Sequence, residues 1–579
     1  MNDLKVLLRY LRTYLLQLTL GVICVLLTVT FSLMPPWVLK FAVDDLTQNI
    51  NAAQLLNYAV LIVCITAIAG CFRYLMRRIL ISLSRKIEYH IRSDYYSHLQ
   101  KLSNSFFFEW RTGDLISRIS NDLNAVRNVL GPGIMYTIHT VTLFCSAMVL
   151  MMVISRRLTL IILLPLLLLT LATKYFSHLL FFRYQSVQEG MAQLTSRAQE
   201  NLSGIRMVKA YGREQHEINL FRQVSEDYLT RNLDLARIWG AFFPFLITLS
   251  GTGVVIILWF GGKMVILKQL SLGELVAFMG YWTLLTWPMM ALGWVMNIWQ
   301  RGAVAMGRIN QVMKHRPTIT DGTVILEEFQ PRIEFRNLTF TYPGASQATL
   351  KEINLTIAPG MTVAVVGATG CGKSTLVNLL AHLWETPTDS LFISGHDINE
   401  LQLRSLRRNI GMVDQEPFLF SDTIRNNITF GAPLAGPAEL EAALNISQLI
   451  NDLEDFPKGL DTRIGERGIT LSGGQKQRLA IARAVIRKPQ LLIFDDALSS
   501  VDLHTEEEIL KHLTELLKGR TCILISHRMS SIKNSDLIVV LDEGRITELG
   551  CHDELIANES LYYRIYQRQQ LLEEIEAAE

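Results

Sequence analysis

The architecture of the C-terminal half of this chain follows from one string, Gly367-Ala368-Thr369-Gly370-Cys371-Gly372-Lys373-Ser374. An apolar run at residues 361–366 precedes it and an apolar helical segment at residues 375–383 follows it, which is a strand–loop–helix pattern. The glycines let backbone N–H groups close around phosphate oxygens, Lys373 adds a point charge, and Ser374 can ligate Mg²⁺. We therefore predict a phosphate-binding loop whose ligand contacts come from Gly367, Thr369, Gly370, Cys371, Gly372, Lys373, Ser374 and Thr375.

A second string, Leu471-Ser472-Gly473-Gly474-Gln475, narrows the class of protein. It resembles the signature motif of ATP-binding-cassette (ABC) proteins. In that family the signature completes the ATP site of a second nucleotide-binding domain. The resemblance therefore implies that each ATP site is shared between two domains, and that the signature residues contact a nucleotide held by a partner. These residues are Ser472, Gly473, Gly474 and Gln475.

Composition divides the chain into two unlike parts. Half of the 579 residues are hydrophobic and only 19% are charged, which is too apolar for an ordinary soluble protein. The formal net charge of +2, without a Lys/Arg-rich block that carries interleaved aromatics, gives no support for a nucleic-acid partner, so we expect none. The seven cysteines are odd in number and form no C-x-x-C pair, which favours reduced thiols over disulfides or a metal site.

The N-terminal part contains six stretches that are long and apolar enough to cross a membrane, which takes about 20 residues. They lie at roughly 15–38, 55–76, 129–154, 158–177, 241–267 and 271–299. A large buried soluble core is the alternative, and uncharged runs such as residues 158–173 disfavour it. Pro35-Pro36 predicts a kink or the end of the first span. Residues 1–14 are predicted to form an amphipathic helix on the cytosolic membrane surface.

The placement of lysine and arginine predicts the orientation of the spans. The segments between spans two and three and between spans four and five are long and basic, so we place them and both termini in the cytosol; Arg156 and Arg157 run mildly against the rule. Both segments are predicted to be helical extensions of the spans, with turn-like breaks at residues 111–114 and 209–214. The breaks resemble the intracellular loops of type I ABC exporters, whose short coupling helices press on the nucleotide-binding domains. An exposed helical hairpin without a partner is the alternative.

Two features of the spans are candidates for contact with a transported compound. The last span is rich in methionine and tryptophan, which can line an adaptable cavity, although packing and an interfacial aromatic belt are the favoured explanation for any one of these residues. His139 lies within the third span, where an ionisable residue is a functional candidate by default and a hydrogen-bonded packing histidine is the alternative.

Further positions match the motifs of ABC proteins in order along the chain. The resemblance implies that Tyr342 stacks on adenine, that Gln415 reaches Mg²⁺ and faces the coupling helices, and that His527 contacts the γ-phosphate. Asp495 ends an apolar strand, and its carboxylate can hold Mg²⁺ through water because Mg²⁺ prefers hard oxygens. Residues 499–502 match the D-loop. The expected metal-binding residues are Ser374, Gln415 and Asp495, and the expected catalytic residues are Asp496, His527 and Gln415.

Asp496 departs from the pattern of the family, whose ATP-hydrolysing members usually carry Glu there to polarise the attacking water. The carboxylate of Asp sits about 1.5 Å short, one C–C bond. A misplacement of about 1 Å can lower a rate on the order of 10²-fold. We therefore expect slow hydrolysis at this chain's own ATP site, whereas its signature motif is complete.

Together these observations predict a multidomain fold. A six-helix α transmembrane domain with long cytosolic helical extensions is followed by an α/β P-loop ABC nucleotide-binding domain. The expected boundaries are residues 1–305 for the transmembrane domain, 306–331 for a linker and 332–579 for the nucleotide-binding domain.

A weak catalytic position beside an intact signature resembles the degenerate subunit of bacterial heterodimeric multidrug exporters of the MdlA type. The resemblance implies ATP-driven export of hydrophobic or amphipathic compounds from a bacterial inner membrane, with ATP and Mg²⁺ as cofactors. The expected partners are membrane lipids, a hydrophobic small-molecule substrate and a second half-transporter chain, and a heterodimer is favoured over a homodimer. Lipid or peptide export, by a heterodimer or a homodimer, is the alternative, and the six spans disfavour a soluble ABC ATPase.

Overall fold

The computed structural model describes residues 2–47, 51–465, 471–501, 503–526 and 528–578. The chain divides into two compact units that are interleaved in sequence. The first comprises Met1–Gln100 and Thr112–His315, and the second comprises Lys101–Arg111 and Arg316–Glu579. The short segment Lys101–Arg111 therefore belongs to the second unit, although the chain on both sides of it belongs to the first.

The first unit is helical, and in the part of the chain that the structure describes it has six helices long and apolar enough to cross a membrane. The predicted six-span architecture is thus confirmed. The spans are Leu15–Leu46, Ala52–Leu99, Thr112–Ile154, Arg156–Ser203, Glu214–Ile266 and Leu272–Lys314. The first helix does not end at Pro35-Pro36 but continues to Leu46. The sixth helix runs on to Lys314, because Met306, Ile309 and Val312 are buried at helical spacing.

The spans are much longer than a membrane is thick. Ala52–Leu99 and Arg156–Ser203 have 48 residues each, or about 72 Å at ~1.5 Å per residue, against a hydrocarbon core of about 30 Å. The basic segments are therefore helical extensions of the spans, as expected. The second break lies where predicted: the helix Ile205–Ala210 ends, Gly212 adopts φ +60°, and the next helix begins at Glu214.

The end of the first span is joined to the start of the sixth by a polar cluster. The carboxylate of Asp44 accepts hydrogen bonds from the Ser271 hydroxyl (2.8 Å) and from the Gly273 backbone N–H (2.8 Å). Lys40 forms an ion pair with Glu274 at 3.0 Å. A Cβ atom on Gly273 would lie 2.0 Å from the carbonyl oxygen of Lys40, so only glycine permits this approach. Asp44 thus supplies an anionic cap to the sixth helix.

The second unit contains two sheets. An antiparallel sheet has the strand order β2-β1-β4-β5, and a six-stranded sheet has the order β10-β9-β3-β8-β7-β6, parallel except for β10. The strands are β1 Ile333–Phe340, β2 Leu350–Ile357, β3 Thr362–Gly367, β4 Leu391–Ile393, β5 His396–Asp397, β6 Ile410–Val413, β7 Leu491–Asp495, β8 Thr521–Ile525, β9 Leu537–Asp542 and β10 Arg545–Gly550. The helices that follow Arg316 are Lys373–Leu380, Leu403–Arg408, Ile424–Thr429, Pro437–Ile446, Gly473–Val485, Leu503–Leu517, Met529–Ile532, His552–Ala557 and Leu561–Ala578.

The parallel sheet brings residues that are distant in sequence to one edge. Every residue of β7 and β8 is buried, which is typical of a parallel sheet covered on both faces. Because parallel strands end at the same edge, the segments that follow β3, β6, β7 and β8 lie beside one another. The fold is therefore the α/β P-loop domain that the phosphate-binding loop predicts.

The segment Lys101–Arg111 contributes a short helix, Asn104–Glu109, to the second unit; we call it the docking helix. The Phe108 ring meets the Trp384 ring edge-on at 6.1 Å between centroids. The Ser103 hydroxyl accepts hydrogen bonds from the backbone N–H groups of Thr318 (3.1 Å) and Ile319 (2.9 Å). The predicted break at residues 111–114 is thus displaced: Thr112 already begins the next helix, and the short helix lies before the break.

Candidate active site

The phosphate-binding loop is shaped by glycines that no other residue can replace. Gly367 has φ +152°, and a Cβ there would lie 2.1 Å from the carbonyl oxygen of Leu541. Gly372 has φ +106°, and a Cβ would lie 2.8 Å from the Leu350 side chain. The Lys373 ammonium donates to the carbonyl oxygens of Gly367 (2.8 Å) and Ala368 (2.9 Å). These two hydrogen bonds hold the positive charge of Lys373 beside the loop, where it would balance the negative charge of a bound phosphate.

A cavity of about 200 Å³ lies beside this loop. It brings together most of the residues that the sequence nominates, and these come from three different strand ends. Its predicted members are Thr369, Gly370, Gly372, Lys373, Ser374, Thr375, Gln415, Asp495 and Asp496. Thr349 and Ile525 complete the lining and are not found by sequence motifs. Long-range pairing places them there, since Thr349 precedes β2 and Ile525 ends β8.

Asp495 is a buried carboxylate with a polar neighbour. Its side chain is 5% exposed, and burial raises its pKa, while a hydrogen bond from the Ser374 hydroxyl acts in the opposite direction. The nearby carboxylates of Asp414 and Asp496 raise the pKa further. A cation at this point would relieve the repulsion among the three carboxylates. The oxygens of Asp495, Ser374 and Gln415 are of the hard type that Mg²⁺ prefers, so the donor set fits the ion.

Asp496 lines the same cavity and has an unusual backbone conformation. Its φ is +47°, in the left-handed region that Asp tolerates better than most residues. Its backbone N–H donates to the carbonyl of Ile525 at 2.9 Å, which fixes the main chain. The Gln415 amide lies 3.5 Å from the Asp496 carboxylate, at the outer limit of a hydrogen bond. Two of the residues predicted to be catalytic are therefore adjacent.

Tyr342 is held at the start of the helix that follows the loop. Its hydroxyl lies 3.0 Å from the Thr375 hydroxyl, and its ring meets the Trp384 ring edge-on at 4.8 Å. The Phe340 ring contacts it from another side at 5.0 Å. The ring is only partly buried, so part of its surface remains accessible to a base. Stacking on adenine stays a prediction.

The Cys371 side chain is turned away from the ligand side of the loop. The residue is 6% exposed, and its sulfur packs in the hydrophobic core rather than in the cavity. Burial raises the pKa of the thiol, although Lys373 opposes this effect. The thiol is therefore a packing group of low reactivity, and a contact from Cys371 to a nucleotide would come from its backbone.

The signature motif forms the start of a helix and lies outside the cavity. Ser472 caps the helix Gly473–Val485, which we call the signature helix: its hydroxyl accepts from the Gln475 N–H at 3.2 Å, and the Gln475 amide oxygen accepts from the Ser472 N–H at 3.1 Å. This reciprocal capping box could have been found from the S-x-x-Q spacing. Ser472 and Gly473 are exposed. None of the four predicted signature residues lines the cavity described above.

An ion pair that is largely buried also holds the signature helix, and it joins Arg478 of this helix to Asp452. Arg478 donates to both oxygens of Asp452, at 2.9 and 2.7 Å, and Gln475 donates to Asp452 at 3.4 Å. The side chain of Gln475 is thus occupied within the chain. The predicted contacts of His527 lie outside the described residues, as do Asp502 of the D-loop match and residues 466–470 just before the signature.

His139 lies on the third span with its Nδ1 atom buried, and in the described part of the chain this atom has no hydrogen-bond partner. Several aromatic residues of the sixth span are already engaged. Trp282 is buried and donates to the carbonyl of Ser250 at 3.1 Å, and Trp299 donates to the Thr137 hydroxyl at 3.0 Å. These two tryptophans therefore have a packing role, as the alternative to a substrate-binding role predicts.

The fold and this site define a class of protein: six membrane-spanning helices joined to a P-loop domain with a signature helix. The chain matches the ABC transporter transmembrane region over residues 18–289 and the ABC transporter family over residues 350–499. It belongs to the ABC transporter family. It is 35% identical to the multidrug resistance-like ATP-binding protein MdlA of Escherichia coli over 555 residues, which cover 95% of this chain and 94% of that protein.

Other relatives cover the chain equally well. The probable multidrug resistance ABC transporter ATP-binding/permease protein YheI of Bacillus subtilis is 35% identical over 97% of both chains. The ATP-dependent lipid A-core flippase of Syntrophus aciditrophicus is 34% identical over 98% of this chain and 95% of that protein. A solved structure of a bacterial Atm1-family ABC exporter with ATP bound superposes with a TM-score of 0.81 at 27% identity, covering 96% of this chain and 99% of that one. The chain is therefore an ATP-hydrolysing exporter and an integral protein of the bacterial inner membrane.

Proposed function

We propose that this chain exports hydrophobic or amphipathic compounds as one half of a dimeric ABC exporter, and that its partner is a different half-transporter. The observation that supports the proposal is the division of the ATP-site residues. The phosphate-binding loop, Asp495 and Asp496 share one cavity, whereas Ser472 and Gly473 are exposed and lie outside it. An exposed helix N-terminus is suited to clamp the phosphate of a nucleotide held by a second chain.

The residues of this chain's ATP site divide the steps of ATP hydrolysis among them in the proposed mechanism. Lys373 and the loop amides hold the phosphates of ATP. Ser374, Gln415 and Asp495 would hold Mg²⁺, and a bound Mg²⁺ would supply positive charge beside the phosphates. Asp496 orients the attacking water, and hydrolysis proceeds by in-line displacement. His527 is proposed to contact the γ-phosphate. Closure of the paired nucleotide-binding domains on ATP, and their release after hydrolysis, switches the spans between inward and outward access.

The reason to propose a different chain as the partner is the residue at position 496, which is Asp where ATP-hydrolysing members of the family usually carry Glu. Its carboxylate is one bond shorter than the usual Glu, so we infer slow turnover at this site while ATP binding is kept. The signature of this chain would then serve a faster site whose loop and catalytic carboxylate belong to the partner. On this view Tyr342 stacks on adenine at the slow site. The slow site has mainly a structural and regulatory role.

Two cavities of the first unit support an apolar or amphipathic substrate. One of about 680 Å³ is lined mainly by apolar side chains, among them Leu33, Trp37, Val149 and Tyr281. A volume in this range suits a drug-sized ligand. The other, of about 640 Å³, mixes apolar with polar groups and is lined in part by Met289, Met296, Lys174 and His178. Two methionines of the sixth span thus line a cavity, whereas His139 lines neither.

The orientation follows from the charge distribution, and we propose that both termini are cytosolic. The functional boundaries proposed are residues 1–305 for the transmembrane domain, 306–331 for the linker and 332–579 for the nucleotide-binding domain. A cysteine-accessibility experiment with a membrane-impermeant thiol reagent tests the orientation. Labelling of a cysteine at Ser271 from the periplasmic side of intact cells supports it, and labelling only after permeabilisation contradicts it.

Purification of the tagged chain from its native membrane tests the pairing. We expect a second half-transporter, with Glu at the position that matches Asp496 of this chain, to copurify in equal amount. We also expect ATP-dependent movement of a hydrophobic fluorescent dye in proteoliposomes that contain the pair, and little with either chain alone. A homodimer with full ATPase and transport activity would refute the heterodimer and leave the exporter assignment intact.

Lipid export by a homodimer is a second candidate, because the chain is 34% identical to a lipid A-core flippase over nearly its whole length. The same proteoliposomes distinguish the two. ATP-dependent translocation of a fluorescent phospholipid or glycolipid, without movement of the dye, would favour lipid export.

A further inference from the structure

The cavity of about 640 Å³ combines basic and large apolar side chains, and both the fourth and the sixth spans line it. Lys174 and His178 line it one helical turn apart on the fourth span, so their side chains lie on the same face of that helix. The large apolar members of the lining are Phe181, Phe182, Met289 and Met296. A basic group beside apolar surface is an arrangement that suits a ligand with a charged head and an apolar body.

Two close approaches between the spans fix the walls of this cavity. The Thr170 hydroxyl of the fourth span lies 3.6 Å from the Met289 sulfur of the sixth. Farther along both helices, a Cβ atom on Gly293 would lie 2.6 Å from the Ser177 hydroxyl oxygen, so the two backbones pack closely there. The cavity is therefore built on packed helices, and the fold sets the position of the Lys174 backbone.

The charge of Lys174 is not balanced by the chain. Among the described residues no Asp or Glu lines the cavity and none forms an ion pair with Lys174. The fourth span carries no acidic residue between Arg156 and Glu189. The next cation along the same helix differs in this respect, because Arg183 pairs with Asp234 at 3.4 Å. An unpaired cation beside apolar surface favours an anionic partner, and the described chain does not supply one.

The depth of Lys174 suits a ligand drawn from the inner leaflet. The fourth helix begins at Arg156, and Lys174 lies about 27 Å along it at ~1.5 Å per residue. This distance approaches the thickness of the hydrocarbon core, about 30 Å. In the proposed orientation Lys174 is thus close to the cytosolic boundary of the core. A molecule that lies in this leaflet has its charged group at the same depth and its apolar part farther in.

We propose that this cavity binds an amphipathic anion and that Lys174 recognises its charge. The inference rests on the proposed function and deepens it, because it names the class of compound that the chain exports. The anionic group accepts hydrogen bonds from the Lys174 ammonium and from a ring N–H of His178. The His178 ring meets the Phe182 ring edge-on at 4.8 Å, which places apolar surface beside the basic group. The flexible thioethers of Met289 and Met296 adapt to apolar bodies of different shape.

The alternative is that Lys174 binds no ligand. A lysine near the end of a span can bury its aliphatic stem and extend its ammonium group to water or to the headgroups. The two roles differ in what they predict for a pair of ligands that differ only in charge. A lysine that merely reaches the interface leaves the preference for the anion unchanged when it is substituted, whereas a recognising lysine sets that preference.

The test compares 1-pyrenesulfonate, which is a permanent anion, with the neutral 1-pyrenesulfonamide of nearly the same size. The complex that contains this chain is placed in phosphatidylcholine nanodiscs, and binding is measured by fluorescence titration with empty nanodiscs as the blank. We expect the sulfonate to bind about 10- to 100-fold more tightly than the sulfonamide, the range for a hydrogen bond to a charged group. Equal binding of the two probes would overturn the inference.

Variants of this chain locate the preference. Lys174→Gln should remove most of it and Lys174→Arg should keep it, while His178→Gln should reduce it in part. Arg183→Gln is the matched control, because it removes a positive charge from the same helix outside the cavity, and it should keep the full preference. Met296→Ala should weaken both probes by a similar factor, since it contacts the apolar body. A full preference in Lys174→Gln, or an equal loss in Arg183→Gln, would overturn the assignment of Lys174.

Nanodiscs that also contain phosphatidylglycerol identify the source of the natural anion. Competition with the sulfonate would indicate a lipid headgroup, and unchanged binding would indicate a dissolved amphiphile; both results support an anion site. Transport in proteoliposomes separates this inference from the proposed function. ATP-dependent movement of a neutral dye without a preference for the sulfonate would overturn the anion site and leave export intact. Preferential sulfonate binding without ATP-dependent movement of any probe would overturn export and leave the site intact.

Discussion

Asp496→Glu should raise ATP turnover at this chain's own site. The added methylene moves the carboxylate outward by about 1.5 Å, toward the position at which a general base reaches its water within roughly 2.6–3.2 Å. In the present chain the Asp496 carboxylate only just reaches the Gln415 amide, at 3.5 Å. A longer side chain brings its oxygen into the cavity that already holds Lys373, Ser374 and Asp495.

The size of the gain follows from the displacement. A misplacement of about 1 Å corresponds to a rate factor on the order of 10², which is about 2.7 kcal/mol of activation free energy. The substitution has a small cost in stability, because Glu adopts the left-handed backbone conformation at φ +47° less readily than Asp does. This conformation costs an ordinary residue about 1–2 kcal/mol. The unfolding temperature should therefore fall slightly while turnover rises.

The assay measures this site separately. The catalytic carboxylate of the partner is first replaced by Gln, so that remaining hydrolysis comes from this chain. We expect Asp496→Glu to raise that residual rate by about 10²-fold, with ATP affinity unchanged. In the complex with an unaltered partner, Asp496→Ala should barely lower the total rate. A tenfold loss in Asp496→Ala, or no gain in Asp496→Glu, would refute the assignment of a slow site.

Three further outcomes are expected. Tyr342→Phe loses only the hydrogen bond to Thr375 and should leave ATP affinity within about fivefold, whereas Tyr342→Ala should weaken it by about 5- to 150-fold if the ring stacks on the base; equilibrium binding at low temperature checks both. Burial, together with the Arg407 charge, lowers the pKa of His382 from 6.5 to about 4, so protonation of this histidine favours the unfolded chain. The contribution of neutral His382 to the free energy of unfolding is therefore full above about pH 6.5 and is lost as the pH falls toward 4. The loss is at most about 3 kcal/mol. His382→Gln should flatten the pH dependence of thermal unfolding between about pH 7 and 5, and an unchanged slope would contradict this. Val149→Trp should fill part of the 680 Å³ apolar cavity and lower dye transport without lowering basal ATPase, and undiminished transport would show that substrates bypass the cavity.

The sequence was sufficient for features that depend on local pattern. Apolar length alone predicts the six spans. The loop residues and Asp495 could be placed together because the loop follows one buried strand and Asp495 ends another, and parallel strands end at one edge. The same logic brings Gln415 to the cavity from the end of β6.

What could not be predicted depends on contacts between distant parts of the chain. Thr349 and Ile525 enter the cavity through strand pairing that no motif encodes. The inward direction of the Cys371 side chain is set by core packing, since the loop pattern fixes only its backbone. Gln477 sits two residues beyond the signature, and the hydrogen bond that it accepts from the Ser500 N–H joins two segments that are distant in sequence.

The docking helix limits how far this transporter can be treated as separable modules. Because Asn104–Glu109 lies within the second unit, a polypeptide that begins at Arg316 would lack part of its own surface. The Trp384 ring would lose the edge contact of Phe108, and the N–H groups of Thr318 and Ile319 would lose the Ser103 hydroxyl. An exchange of nucleotide-binding domains between two exporters must therefore transfer two pieces of sequence. One of them lies between the second and third spans.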